Sequence, residues 1–154
     1  MLTIRQALFP AEQDEVISIF REYVSSPTVS LDFQEYETEF AELPGKYAAP
    51  EGRLLLARDA DTVLGCAALR RVDASTCEMK RVYVRPAARG KKLGRQLVEA
   101  LLSEAGLAGY SRICLDVLPE FIVARKLYES LGFTPAQPVS RNPVPGTSFL
   151  ALAL

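Results

Sequence analysis

Apolar residues recur along this chain with two different periods, and each period predicts its own kind of element. From Leu2 to Leu8 they alternate imperfectly with polar ones, which predicts a first strand. Pro10 stands where a helix can begin. Val16, Ile17, Phe20, Tyr23 and Val24 then keep helical spacing, so a helix is predicted over 11–25, broken by Ser25-Ser26-Pro27. Asp32 followed by Glu35 reads as a capping pair for a second helix. Its stripe is Phe33, Tyr36, Phe40 and Leu43, and it ends at Pro44-Gly45. An aromatic stripe at this spacing predicts core packing.

Period two returns at Arg53–Arg58, Val63–Arg71 and Cys77–Val84, separated by turns at Asp59–Thr62 and Asp73–Ser75. Three strands in succession predict an antiparallel meander. Pro86, which has no amide donor, ends the last of them. Leu93, Leu97, Val98, Leu101, Leu102 and Ala105 share one face of a long helix that closes between Gly106 and Gly109. Ser111–Val117 reads as a buried strand, and Pro119–Leu131 as a helix stopped by Gly132 in the C′ position. Phe133 begins a short strand. Pro135, Pro138, Pro143 and Pro145 hold an irregular connection, and Thr147–Leu154 reads as the last strand. The order β-α-α-β-β-β-α-β-α-β-β predicts a mixed α/β fold in a single domain over 1–154.

Composition narrows the chemistry. The chain contains no histidine, which excludes Ser-His-Asp and Cys-His nucleophiles and every His-ligated zinc site. A general base must then be a carboxylate, a lysine, a tyrosine or water. No metal site is expected. The 18 basic and 19 acidic residues give no case for nucleic acid, and no apolar run nears the about 20 residues of a membrane span. Cys66, Cys77 and Cys114 are odd in number and sit in strand-like runs, which fits reduced thiols in a cytoplasm. The N-terminus lacks the charged-then-apolar order of a signal peptide. The sequence leaves a homodimer open.

Charge is unevenly placed. Between Arg70 and Arg95 there are nine Lys/Arg against Asp73 and Glu78, whereas between Ala11 and Leu43 nine acids face Arg21 alone. Such fields suit a polyanion at the first region and an amine near the second, or else two solvated faces that differ in sign.

The basic region has a specific form. Val82, Tyr83 and Val84 end a strand, and Arg89-Gly90-Lys91-Lys92 then opens the long helix at Leu93, Gly94 and Arg95. A strand passing through such a turn aims backbone N–H groups at one spot near the positive end of the helix dipole, which is an anion site or else a solvated basic turn. The run resembles the acetyl-CoA signature of the GNAT N-acetyltransferases, Arg/Gln-x-x-Gly-x-Gly/Ala after a strand, except that Lys92 replaces the middle glycine. A second stretch, Ala124-x3-Tyr128-x3-Gly132-Phe133, is similar to another GNAT pattern, with Phe121 where the family has Asn.

The resemblance implies a GNAT fold, a mixed and mostly antiparallel sheet with helices on both sides. It implies acetyl-CoA as co-substrate, an amine acceptor, and direct transfer in a ternary complex. It places CoA phosphates on Arg89–Arg95. Val82, Tyr83 and Val84 would hold the pantetheine arm through their backbone beside Ala124. Glu78, six residues before Val84, matches the position of a catalytic base in several members; otherwise it pairs with Lys80, Arg70 or Arg71. Tyr128 matches the acid that protonates the leaving thiolate. A GNAT-fold module that holds acyl-CoA without turnover is the other function class. The acceptor is not named by the sequence; the two N-terminal helices and the Pro-rich turn before Phe149 are expected to select it.

Overall fold

The computed structural model describes residues 1–154. Seven strands form one sheet, β1 (Leu2–Gln6), β2 (Arg53–Asp59), β3 (Thr62–Arg71), β4 (Thr76–Val84), β5 (Arg112–Val117), β6 (Thr134–Pro135) and β7 (Ser148–Ala153), in the spatial order β1-β2-β3-β4-β5-β7-β6. Every pairing is antiparallel except β4 with β5. The helices are α1 (Gln13–Ser25), α2 (Tyr36–Ala41), α3 (Leu93–Leu107) and α4 (Ile122–Ser130).

The alternation of each strand distributes two cores over the two faces of the sheet. On one face Leu93, Leu97, Val98 and Leu101 of α3 and Tyr128 of α4 meet Leu55, Leu69, Met79 and Ile113. On the other, Val16, Ile19 and Phe20 of α1 and Phe40 of α2 meet Leu54, Leu56, Cys66 and Ala68. The stripe of α3 is as predicted, except that Leu102 is only half buried.

Three predicted boundaries move. The second helix shrinks to six residues, because Asp32–Gln34 forms a 3-10 turn and Glu35 takes a left-handed backbone (φ 53°). Asp32 does not cap it, since its carboxylate accepts the Tyr36 hydroxyl at 3.0 Å instead. The helix expected from Pro119 starts only at Ile122, with Phe121 in a non-helical conformation. Glu120 there is drawn away to accept Thr28 N at 3.0 Å. The first helix starts at Gln13, after a turn in which Glu12 N donates to Leu8 O.

The acidic excess before Leu43 is mostly spent within the fold. Glu12 binds Arg5 and Arg58, Glu22 binds Arg85, Glu37 binds Arg21, and Glu39 binds Arg81 and Lys46. These pairs tie α1 to α2 and both to the sheet, while Asp14, Asp32, Glu35 and Glu42 make no ion pair.

Candidate active site

The site begins where β4 and β5 part. Their parallel pairing lasts only for Thr76↔Arg112, Cys77↔Ile113 and Glu78↔Cys114. Beyond Glu78 the strands diverge, so the β5-facing edge of β4 from Met79 to Val84 carries backbone groups without a strand partner. A bulge sharpens the divergence. The register of β4 on β3 jumps between Tyr83↔Cys66 and Lys80↔Ala68, and Arg81 sits in the jump with φ 62°. An extra residue here twists the strand and re-aims its side chains.

Burying Arg81 is what holds this backbone. Its guanidinium is 1 % exposed and binds Glu39 through Nε and Nη2 at 3.0 and 3.1 Å. It also donates to Gln34 Oε1 and lies 5.4 Å from the Tyr23 ring centre. Burial alone would push the Glu39 carboxyl up, but the Arg81 hydrogen bonds and charge outweigh it and hold the group below the usual range.

Around the split lies a cavity of about 50 Å³. Met79, Lys80, Arg81 and Val82 line it from β4, Leu115, Asp116 and Val117 from β5, and Phe121, Ala124 and Tyr128 from the α4 region. Tyr23 and Gln34 close it from the α1 side, and Asn142 from the irregular β6–β7 connection. Val82 and Val84 pack against the α3 core, while Tyr83 turns to the opposite face, edge-on to Tyr23 at 6.3 Å.

Tyr128 is buried, 6 % exposed, and burial pushes its phenol far above its ordinary value. Its ring packs on Phe133 at 5.8 Å. No protein group accepts from its hydroxyl. Every fully buried side-chain nitrogen and oxygen is bonded, so this hydroxyl opens on the cavity.

Past Val84 the chain turns through Pro86–Ala88 into α3. The backbone N–H groups of Gly90, Lys91, Lys92, Leu93, Gly94 and Arg95 have no acceptor in the protein; the first amide bonded after them is that of Gln96, to Lys92 O. Gly90 (φ 86°) and Lys92 (φ 60°) are both left-handed, which folds this run into a concave donor array at the helix start. Lys92 stands where the resembling pattern has glycine, and its positive φ explains why that pattern prefers one. Arg89 Nε donates to Val84 O at 3.0 Å, and Arg95 reaches Ser130 Oγ at 3.2 Å. Lys91 and Lys92 are exposed and unpaired. A Cβ added to Gly94 would face Val84 Cγ2 at 3.7 Å and Leu127 Cδ2 at 3.9 Å, between β4 and α4.

Glu78 is placed differently. It is 1 % exposed and outside the cavity lining. Arg70 Nε donates to its Oε1 at 2.8 Å, and Ser140 Oγ donates to its Oε2 at 2.8 Å. Both carboxylate oxygens are occupied, and of the pairings the sequence left open, the one with Arg70 is present. The structure therefore does not bring Glu78 and Tyr128 to the same cavity.

Among the lining residues that sequence reasoning did not assign to the site are Lys80, Asp116 and Asn142. Asp116 accepts Asn142 Nδ2 at 2.9 Å. Its signal was a lone acid inside the apolar run Ile113–Val117; Asn142, in the proline-rich connection, had none.

Comparison with known proteins decides the family. Residues 15–133 match the family model of the acetyltransferase (GNAT) family. The chain belongs to the GNAT family. It is thus an acetyltransferase, and the reading as a non-catalytic module is set aside. It is 36% identical over 155 residues to an uncharacterised N-acetyltransferase of Schizosaccharomyces pombe, covering 99% of this chain and 95% of that one. Its fold matches that of a GNAT-family acetyltransferase of Staphylococcus aureus with TM-score 0.82, 18% identity and 99% coverage of both chains. The yncA structure of Salmonella typhimurium, solved with its cofactor acetyl-CoA, superposes with TM-score 0.69 at 27% identity, covering 99% of this chain and 93% of that one. No helix is long and apolar enough to cross a membrane.

Proposed function

We propose that this GNAT acetyltransferase takes acetyl-CoA as co-substrate and moves the acetyl group to the primary amine of a small molecule by direct transfer in a ternary complex. The observation that carries the reading is the run of unbonded amides from Gly90 to Arg95, which follows the strand β4 whose Met79–Val82 stretch lines the cavity with Tyr128. Pyrophosphate oxygens suit such a donor array at a helix start, and Lys91 and Lys92 add charge beside it. The acetyl-CoA bound in the yncA relative agrees with this co-substrate.

In the reaction the amine nitrogen attacks the thioester carbonyl carbon. The unpaired edge of β4 from Met79 to Val84 supplies donors to the developing oxyanion. As the C–S bond breaks, Tyr128 gives its phenolic proton to the departing thiolate and is reprotonated from solvent. Glu78 is buried outside the cavity lining and bonded to Arg70 and Ser140, so this reading does not give it the amine proton directly. Asp116 is the carboxylate on the cavity wall, so in this reading the amine proton leaves by Asp116 or water. Glu78 fixes the strand and the 140–142 segment instead. The three buried thiols fit a reducing compartment, and we place the reaction in the cytoplasm.

The test is the release of free CoA from acetyl-CoA across amino acids, polyamines, aminoglycosides and lysine peptides, with initial rates at varied concentrations of both substrates. The reading expects turnover with a small-molecule class and intersecting double-reciprocal lines. Parallel lines with a trapped acetyl-protein, or turnover with lysine peptides alone, would overturn it.

A further inference from the structure

The cavity wall holds one cation that the fold does not use. Arg81 is saturated by Glu39 and Gln34, and Arg70 by Glu78. Lys46 is held by Glu39 at 3.0 Å. Lys80, half-buried on the same wall, makes no hydrogen bond or ion pair with any protein group, and its ammonium is not fully shut off from solvent. Across the split, Asp116 keeps one carboxylate oxygen free after accepting Asn142. Lys80 and Asp116 are not within ion-pair distance of each other, so the cavity presents both a free positive group and a free negative oxygen.

We propose that the acceptor is a free amino acid, its carboxylate received by Lys80 and its amine directed by Asp116 toward the acetyl carbon. This rests on the acetyl-transfer reading above and narrows its substrate class. An ammonium that a bound ligand shuts off from water is expensive unless that ligand brings an anion beside it. Burial pushes the Lys80 ammonium below its ordinary value, with Glu78 and Asp116 opposing that push and Arg81 and Lys46 adding to it. An arriving carboxylate would reverse the effect. An amine with no carboxylate leaves Lys80 unpaired in a closed complex. A peptide N-terminus carries its carboxylate too far away to replace it.

The experiment compares kcat/KM for each of the twenty amino acids with that for its amide and for the amine lacking the carboxylate, using wild type, Lys80→Met and Lys80→Arg. Wild type should favour at least one amino acid over its amide by roughly tenfold to a hundredfold, the range of a hydrogen bond to a charged group. Lys80→Met should collapse that ratio to near one, mainly through KM, and Lys80→Arg should restore part of it. Raising pH should erode the wild-type ratio before the ordinary lysine range is reached. If Lys80→Met does not fold by circular dichroism, Lys80→Gln takes its place. Turnover of amides or simple amines as fast as amino acids overturns the inference and leaves acetyl transfer standing. So does a ratio that survives Lys80→Met. Absence of CoA release with every amine overturns the acetyl-transfer reading itself, and the inference with it.

Discussion

Replacing Glu39 by Gln should destabilise this protein far more than a surface carboxylate would. Arg81 is almost fully buried inside the β4 bulge, and Glu39 accepts two of its three side-chain hydrogen bonds. Gln keeps the shape of the side chain but leaves a guanidinium charge uncompensated in the core. Breaking one side of a buried pair costs about 3–5 kcal/mol. For a chain of this length, about 2–4 °C of Tm per kcal/mol gives a fall of roughly 6–20 °C. Lys46 also binds Glu39 and loses that partner too, but its side chain is 40% exposed and can turn to water, so it adds little to the loss.

The pH dependence follows from the direction of the Glu39 shift. A carboxyl held low in the folded state stabilises fully above its unfolded value, about 4.3, and loses that contribution as pH falls through the lower folded value. The gap between wild type and Glu39→Gln should therefore be full at pH 7 and shrink below about pH 4. Removing both charges by Glu39→Leu with Arg81→Met should recover much of the loss, because no buried charge remains. Thermal unfolding by circular dichroism at pH 7 and pH 3.5 measures all of this. A Tm change at pH 7 below about 2 °C, or a gap that is the same at both pH values, would refute the reasoning.

Three further outcomes follow from the site. Tyr128→Phe should leave acetyl-CoA affinity near wild type in calorimetry and lower kcat by roughly 10²–10⁴, the range for losing one proton-transfer partner; an unchanged kcat would remove Tyr128 as the acid. Glu78→Gln should lower Tm by leaving Arg70 short of its partner, while the pH profile of kcat/KM keeps its shape. A loss confined to neutral pH that recovers at high pH would instead make Glu78 the base through an intervening water. Cys114→Ala should keep kcat within about a few-fold, since burial and then the neighbouring Glu78 charge push that thiol up to about 11; complete loss with an acetyl-thioester on the protein would support a covalent route.

Much of the fold was legible because strands and helices impose different periods, and all eleven predicted elements occur in the predicted order. The second helix was overestimated for a local reason. Tyr36, Phe40 and Leu43 keep helical spacing, but the Asp32 side chain is taken by Tyr36, and the chain before it coils as a 3-10 turn. The turn of unbonded amides before α3 was legible from Gly90, Gly94 and Pro86, since free amides at a helix start are a local property. Glu78 was harder. Spacing along β4 found its position, but whether it would face a cavity or Arg70 depends on cross-strand register, and that register shifts at the Arg81 bulge. Lys80 and Asp116 were invisible as a pair for a related reason. They lie on strands that bond for three residue pairs and then diverge, and no pattern within either strand records the gap between them.

The central claim is that the Gly90–Arg95 amides hold acetyl-CoA, and calorimetric titration of acetyl-CoA into wild type and Gly94→Glu tests it most directly. A glutamate there starts from a Cβ in contact with Val84 and Leu127 and sets a negative charge beside the unbonded amides. Wild type should bind, and Gly94→Glu should bind at least roughly tenfold more weakly, a loss of about 1.4 kcal/mol, with an unchanged circular dichroism spectrum. Equal affinity in a folded Gly94→Glu variant would contradict the account, because the phosphates would then lie elsewhere.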